Sequence, residues 1–408
     1  MRVKRALVMS GGGGKGAYQF GVWKALRKLD KKFDIVTGTS IGALNGALIV
    51  QEDYFSLWYF WEKINFNMAF GHKIYGDVDS KAGKKQIFEM YKNGIIKDKG
   101  MSTETMQKLA NRFISEKRIR NSNIDYGIVT FNLSNFKAET LTKNDIPKGK
   151  MIDYIIASAS CFPAFQMKDI DGKKYIDGGY YDNMPINLAI DMGADEIIAV
   201  NLKAVGLNKK VKDKKVKIIY ISPNNDLGSF LMLDRKYSRR NMRYGYNDAM
   251  KKFGYLDGKA FTFKKDDLKR NYEKYHKPLQ HLIETRMNRH KILNKLIYDA
   301  TINAIINNNK RKMDSLIEQL GTIFEIDDSK IYSMEQFNRL LKKHVQNIED
   351  PNKNIIDILF KSSGKLNNKF GRYLIKYFYM HSINGETVKR LIILFPKHFV
   401  MAIYLQLL

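Results

Sequence analysis

Residues 33–46, FDIVTGTSIGALNG, set the terms on which the rest of this chain is read. The run FDIVT at 33–37 suits a short buried strand, and Ile41 opens an apolar stretch suited to a helix. Between them, Gly38-Thr39-Ser40-Ile41-Gly42 spells G-x-S-x-G in its strand–turn–helix setting. In that setting small residues allow a tight turn that lifts a serine hydroxyl above the sheet edge at a helix N-terminus. Gly42, Ala43, Gly46 and Ala47 leave the helix free to pack closely on its neighbours. A serine that merely caps a helix has the same local spelling, so the role of Ser40 depends on its company.

Upstream, the run Arg5–Met9 reads as a strand and leads into Gly11-Gly12-Gly13-Gly14-Lys15-Gly16. A segment with Tyr18, Val22, Ala25, Leu26 and Leu29 on one helical face follows. Successive glycines at a helix N-terminus let backbone N–H groups converge on one point and so form an anion cradle. The same letters satisfy G-x-G-x-x-G through Gly11, Gly13 and Gly16, which raises a dinucleotide-dependent oxidoreductase as an alternative. Against it, the second strand runs into Thr37-Gly38-Thr39-Ser40 where a ribose-binding acid belongs. A P-loop would need Gly at 9 and Ser or Thr at 16, where Met9 and Gly16 stand.

Downstream, Tyr175-Ile176-Asp177-Gly178-Gly179 delivers an aspartate into a glycine turn, 137 residues after Ser40. Alone, Asp-Gly-Gly is an ordinary turn. A serine nucleophile, however, needs a base, usually histidine. Of 7 histidines only His72 precedes His276; His281, His290, His344, His381 and His398 also lie in the lysine-rich second half. An aspartate acting alone is the better candidate.

The first 222 residues alternate short apolar runs with amphipathic segments, the grammar of a mostly parallel sheet covered by helices. Strands are expected at Arg5–Met9, 33–37, 126–130, Glu196–Val200 and 216–221, with a helix at 186–192 stopped by Gly193. Residues 51–123 read as a helical insertion or lid, and their aromatic run FSLWYFWEKINF at 55–66 as core packing. Beyond about residue 256 helical spacing takes over, with Leu293, Leu296, Ile297, Ala300 and Ala304 on one face. Two domains are expected, 1–255 and 256–408.

Composition narrows the function classes. The 408 residues are 44% hydrophobic and 27% charged, with 7 prolines, which excludes a disordered or collagenous chain. A single cysteine, Cys161, rules out an intrachain disulfide and is expected to be a small core residue, and a reducing cytoplasmic setting fits. The start lacks a secretory apolar core, and the most apolar stretch, 391–408, is broken by Pro396, Lys397 and His398, so no spanning helix is expected and its end reads as a buried helix. Lys and Arg total 70 against 42 acidic residues, a net charge of +28. The excess is diffuse, 36 minus 23 up to residue 222 and 34 minus 19 after it. Such charge leaves open a non-catalytic basic protein bound to nucleic acid or an anionic membrane, although no nucleic-acid motif is present. Asp77 and Asp79 lack the glycine and bidentate glutamate of a calcium loop, so no metal and no cofactor is expected.

The three motifs, in this order and context, resemble the patatin-like phospholipase family. So do Ala157-Ser158-Ala159-Ser160-Cys161-Phe162-Pro163-Ala164-Phe165, Asn183-Met184-Pro185, Met192-Gly193-Ala194-Asp195, and the stretch from Arg239-Arg240-Asn241 through Gly245-Tyr246-Asn247-Asp248-Ala249. The resemblance covers about residues 1–255 and says nothing of the rest. It implies an α/β fold, a three-layer α/β/α arrangement around a mostly parallel sheet, here followed by a mainly helical C-terminal domain of unknown role. It also implies a serine acyl hydrolase of (phospho)lipid esters, with Ser40 as nucleophile, Asp177 as direct base and the Gly11, Gly12, Gly13 and Gly14 N–H groups as oxyanion hole. Lys15, Gly16, Gly38, Gly42, Gly178 and Gly179 would support them. Lys15 would hold the loop or meet a phosphate headgroup. The partner expected is a membrane lipid on an anionic bilayer, met from the cytoplasmic side, with the second domain as the place for a regulator. With no histidine in the pair, the rate is expected to hold on acidification through about pH 6.5.

Overall fold

The computed structural model describes residues 2–71, 74–287, 310–349, 367–381 and 386–408. The helical face expected at Leu293–Ala304 lies outside the described residues, as do His72 and His290. The chain forms two compact units, Met1–Lys252 and Phe253–Leu408, where a division after residue 255 was expected.

The first unit has eight strands: β1 (Arg5–Met9), β2 (Ile35–Thr39), β3 (Asp125–Asn132), β4 (Lys137–Thr142), β5 (Lys168–Ile170), β6 (Lys173–Asp177), β7 (Glu196–Val200) and β8 (Lys217–Ile221). Its helices are α1 (Ala17–Lys28), α2 (Ile41–Val50), α3 (Tyr54–Lys63), α4 (Phe66–Phe70), α5 (Lys81–Asp98), α6 (Glu104–Phe113), α7 (Glu116–Asn121), α8 (Met151–Ser158), α9 (Ile186–Asp191) and α10 (Arg235–Lys252). Strands β8, β7, β1, β2 and β3 pair in parallel, and β4, β5 and β6 add antiparallel ladders beyond them. The fold is α/β with a mostly parallel central sheet.

Alternation along β1 shows why helices must cover both faces. Ala6 and Val8 pack with Ile35, Ile186, Ala189 and Ala199 on the side of α9. Met9 and Val36 face the other way, against Gly46 of α2. A strand buried on both sides reads as a continuous apolar run, which is how RALVM and EIIAV announce themselves. The β2 strand begins and ends two residues later than expected, because Gly38 and Thr39 pair with Ile128 and Val129 of β3. Strands β4 and β5 carry lysines and little apolar alternation, so nothing in the sequence marked them.

The registers on β3 position the site. Strand β4 pairs with residues 127–132 of β3, so β2, on residues 125–129, and β6, on residues 130–132, share the opposite edge. Thr39 lies across from Val129, and Asp177 lies across from the next residue, Thr130. Because β2 runs parallel and β6 antiparallel to β3, their C-terminal ends meet there. Two points 137 residues apart in the chain are thus brought to consecutive positions on one strand.

The second unit, taken by itself, has helices at Asp267–Met287, Lys310–Ile323, Met334–Gln346, Asn368–Met380, Glu386–Leu394 and Pro396–Leu407. Phe261, Phe263, Leu320, Phe337, Phe378 and Phe399 belong to its core. The last helix starts at Pro396, whose missing N–H costs nothing at a first turn, and buries Phe399 through Leu405. A three-stranded sheet of Leu256–Asp257, Thr262–Lys264 and Ile331–Tyr332 was not anticipated, since strands of two or three residues leave no readable alternation. Among the described residues, no helix is long and apolar enough to cross a membrane.

Packing between β1 and α2 gives a direct test. A Cβ on Gly42 would meet the Met9 carbonyl oxygen at 2.3 Å, whereas one on Gly46 would meet side-chain atoms at 3.2–3.3 Å. Gly42→Ala is expected to destabilise the unit by about 1–3 kcal/mol through overpacking, and Gly46→Ala by much less. All three tryptophans, Trp23, Trp58 and Trp61, lie in the first unit, so urea unfolding followed by tryptophan fluorescence reads it alone. Equal midpoints for the two variants would contradict this packing.

Candidate active site

Ser40 sits where β2 ends and α2 begins, at φ 58° and ψ −126°. A non-glycine residue in that region is strained and is held there only by its surroundings. The surroundings are tight: a Cβ on Gly38 would lie 2.3 Å from the Gly42 carbonyl oxygen. The Ser40 N–H donates to Ser158 Oγ at 3.0 Å, and Ser158 Oγ donates to the Val129 carbonyl at 2.6 Å. Thr39 Oγ1 donates to the Asp182 carbonyl at 2.8 Å, and the Tyr126 hydroxyl to the Ala43 carbonyl at 2.7 Å. The turn is therefore pinned from β3, from α8 and from the loop after β6.

Asp177, 5% exposed, closes β6. Its N–H donates to the Ser160 carbonyl at 2.9 Å, and its Oδ1 accepts from the Gly179 N–H at 2.7 Å. Its carboxylate is hydrogen-bonded to the Ser40 side chain. Burial pushes the carboxyl up to about 6, against the opposing pull of the Ser40 and Gly179 bonds. Gly178 lies so close to β3 that a Cβ would meet the Val129 carbonyl oxygen at 2.1 Å. The two motifs separated most widely in the sequence thus touch.

The glycine loop passes beside them, and a Cβ on Gly11 would come within 3.1 Å of Ser40 Cβ. Its donors are not all free, which corrects the expectation of four oxyanion N–H groups. Gly11 donates to the Asn183 carbonyl at 3.0 Å and Gly14 to the Phe230 carbonyl at 2.7 Å. The Gly12 and Gly13 N–H groups have no acceptor among the described residues, and both glycines line the cavity that contains Ser40. Gly13 has φ 54°, and a Cβ there would meet the Phe230 carbonyl oxygen at 2.3 Å, so this position requires glycine. At the end of the loop, Asn45 Nδ2 donates to the Gly16 carbonyl at 3.0 Å and to Gln19 Oε1 at 2.8 Å, while Trp61 Nε1 donates to Asn45 Oδ1 at 3.0 Å. Lys15 is half-buried, does not line the cavity, and has no side-chain partner among the described residues.

The cavity measures about 550 Å³, within the ~300–1,000 Å³ usual for small-molecule sites. Ser40 and Asp177 share it with a largely apolar wall that includes Leu44, Leu48, Phe60, Met106, Phe113 and Phe165. Phe60 and Met106 place part of the 51–123 segment in that wall. The aromatic run expected to be core is mixed: Trp61 is fully buried, but Phe55 is 78% exposed and Trp58 41%. Cys161, expected in the core, is half-buried and lines the cavity, its thiol pushed up to about 11 by burial and the nearby Asp177 charge.

Ser158, Asn45 and Trp61 support the site although sequence reasoning gave none of them a role. For Ser158 the signal was there, in the small-residue run ASAS before Cys161; for the other two, nothing distinguishes them from core. Among the described residues, no three acidic, histidine or cysteine side chains are grouped to hold a metal ion. Asp79, weighed at first with Asp77 as a calcium ligand, is bonded instead to Lys236 at 2.7 Å and to the Tyr237 hydroxyl.

Comparison with known proteins agrees with this geometry. The family model for patatin-like phospholipases matches residues 7–190, less than the 1–255 that the motifs suggested. The chain is 29% identical over 203 residues to Lysophospholipase NTE1 of Chaetomium globosum, and 28% identical over 201 residues to Patatin-like phospholipase domain-containing protein 7 of Rattus norvegicus. The matches span 50% and 48% of this chain but only 12% and 13% of those much longer proteins. Among solved structures, VipD from Legionella pneumophila aligns with 98% of this chain and 92% of its own at a TM-score of 0.40 and 13% identity, too loose a likeness to carry an argument. Residues 7–190 form a patatin-like phospholipase domain.

Proposed function

We propose that this protein hydrolyses fatty acyl esters of membrane lipids through Ser40 and Asp177, by way of a covalent acyl-enzyme. One observation carries the reading: a strained serine hydroxyl is bonded to a buried carboxylate inside an apolar cavity. The names of the relatives, lysophospholipases among them, favour a phospholipid that presents one acyl chain at a time.

In this scheme Ser40 Oγ attacks the ester carbonyl while its proton passes to Asp177. The carbonyl oxygen becomes an oxyanion, and the Gly12 and Gly13 N–H groups are the donors available for it. Each such donor is worth roughly 10²–10³ in rate. Collapse expels the alcohol, which takes the proton from Asp177. Water then enters, loses a proton to the same carboxylate and releases the fatty acid from Ser40. Aspartate is ordinarily a weak base, but burial raises Asp177 to about 6 and so brings its proton affinity close to that of imidazole. Nothing in the scheme calls for calcium. The net charge of +28 favours an anionic membrane surface, approached from the cytoplasmic side, and leaves the second unit as the place where a regulator would act.

Ser40→Ala and Asp177→Asn are each expected to lower hydrolysis of a purified lysophospholipid at least a thousandfold while retaining the fold. Turnover near that of the unsubstituted chain in either would end the scheme, and calcium chelation should leave the rate unchanged.

The expected pH profile must be revised. The sequence suggested no loss of rate through about pH 6.5; with Asp177 at about 6, the rate should halve near pH 6 as the base takes up its proton. A rate that is flat from pH 8 to below about 5 would contradict this.

The same burial affects stability. Asp177 binds its proton more tightly when folded than when unfolded, so its contribution is most favourable below the unfolded value of about 4 and is lost as pH rises through about 6. Asp177→Asn is therefore expected to stabilise the first unit by about 1–3 kcal/mol at pH 8, with the gain shrinking toward pH 4. Destabilisation at pH 8, read by tryptophan fluorescence during urea unfolding, would contradict the burial cost.

A further inference from the structure

Four apolar side chains both line the cavity and stand in solvent: Tyr180 at 44% exposure, Val205 at 99%, Leu207 at 61% and Phe230 at 40%. A residue can satisfy both conditions only at a cavity mouth. The rim of this mouth is thus apolar, with Val205 as its most exposed point. Exposed apolar side chains grouped around an opening mark an interaction surface rather than ordinary scatter.

Val205 and Leu207 belong to the loop between β7 and β8, NLKAVGLNKKVKDKKV at 201–216, which carries six lysines and one acid. Three of the lysines are engaged: Lys203 donates to the Pro223 carbonyl, Lys209 lies 3.9 Å from the Tyr181 ring centroid, and Lys212 pairs with Asp191. Lys210, Lys214 and Lys215 are exposed, and their ammonium groups have no partner among the described residues. The loop is also tied down. Leu207 N–H donates to the Gly179 carbonyl at 2.9 Å, the Asn183 N–H donates back to the Leu207 carbonyl, and Asn187 Nδ2 donates to the Lys210 carbonyl at 2.9 Å. Its apolar tip is held against the turn that carries Asp177.

We propose that this loop, with Val205 and Leu207 at the tip and Lys210, Lys214 and Lys215 behind it, is the face by which the protein docks on an anionic lipid bilayer. The combination specifies the occupant. Apolar tips enter the acyl boundary while lysines meet negative headgroups, and a lipid at that point has its ester directly before the cavity mouth. The inference rests on reading the cavity as an acyl site, which gives the docking its purpose, but it concerns a different surface and is tested without turnover.

The test is co-sedimentation of the full chain carrying Ser40→Ala, so that lipid is not consumed, with phosphatidylcholine vesicles and with vesicles that also contain phosphatidylserine. Binding is expected to be stronger on the phosphatidylserine vesicles and to fall with salt. Val205→Asp should weaken it roughly tenfold or more, and Lys210→Gln, Lys214→Gln and Lys215→Gln roughly fivefold each. Unchanged binding in all these variants overturns the proposal, as does equal binding to both vesicle types. So does a change of oligomeric state in Val205→Asp with vesicle binding intact, which would assign the face to a second copy. Hydrolysis of a water-soluble short-chain ester by the unsubstituted chain is measured alongside: its absence would count against the hydrolase reading alone, since co-sedimentation still decides the docking face.

Discussion

Two strands that end against the same edge of β3 are the constraint on which the rest of the structure depends. A strand edge offers each residue one partner, and β3 gives residues 125–129 to β2 and residues 130–132 to β6. Since β2 and β6 run in opposite senses, their C-terminal ends face each other. The side chains that follow those ends, Ser40 and Asp177, cannot avoid meeting. Much of the surrounding detail secures this junction: Ser158 bridges the Ser40 N–H to the Val129 carbonyl, and Gly178 leaves room for β3 to pass.

The junction also sets the chemistry. A carboxylate at the end of a buried strand has lost water and keeps only the Ser40 hydroxyl and the Gly179 N–H to hold its charge. That imbalance costs stability and raises proton affinity together, so what makes Asp177 an adequate base makes it an expensive residue to fold around. The strained backbone at Ser40 is a second such cost, sustained by the close packing of Gly38 and Gly42 against their neighbours.

Much of this was legible in the sequence because its causes are local. Runs buried on both faces, such as RALVM and EIIAV, announce parallel strands, and G-x-S-x-G announces a turn that only small residues permit. The meeting of Ser40 with Asp177 came from a family resemblance, since pairing registers leave no local trace. For the same reason, sequence reasoning credited four loop glycines with free N–H groups, whereas Asn183 and Phe230 claim two of them from distant parts of the chain. Lysine-bearing edge strands and the two-residue strands of the second unit lacked the alternation that makes a strand readable. The aromatic run at 55–66 was assigned to the core because composition alone does not show which side of α3 faces solvent.

The most direct test of the Ser40–Asp177 pair is the mass of the intact protein after reaction with an alkyl fluorophosphonate, followed by peptide mapping. The account predicts a single adduct on Ser40, forming at a rate that falls as pH drops through about 6 and strongly slowed in Asp177→Asn. An adduct on another residue, or labelling of Ser40 at full rate without the carboxylate, would contradict it.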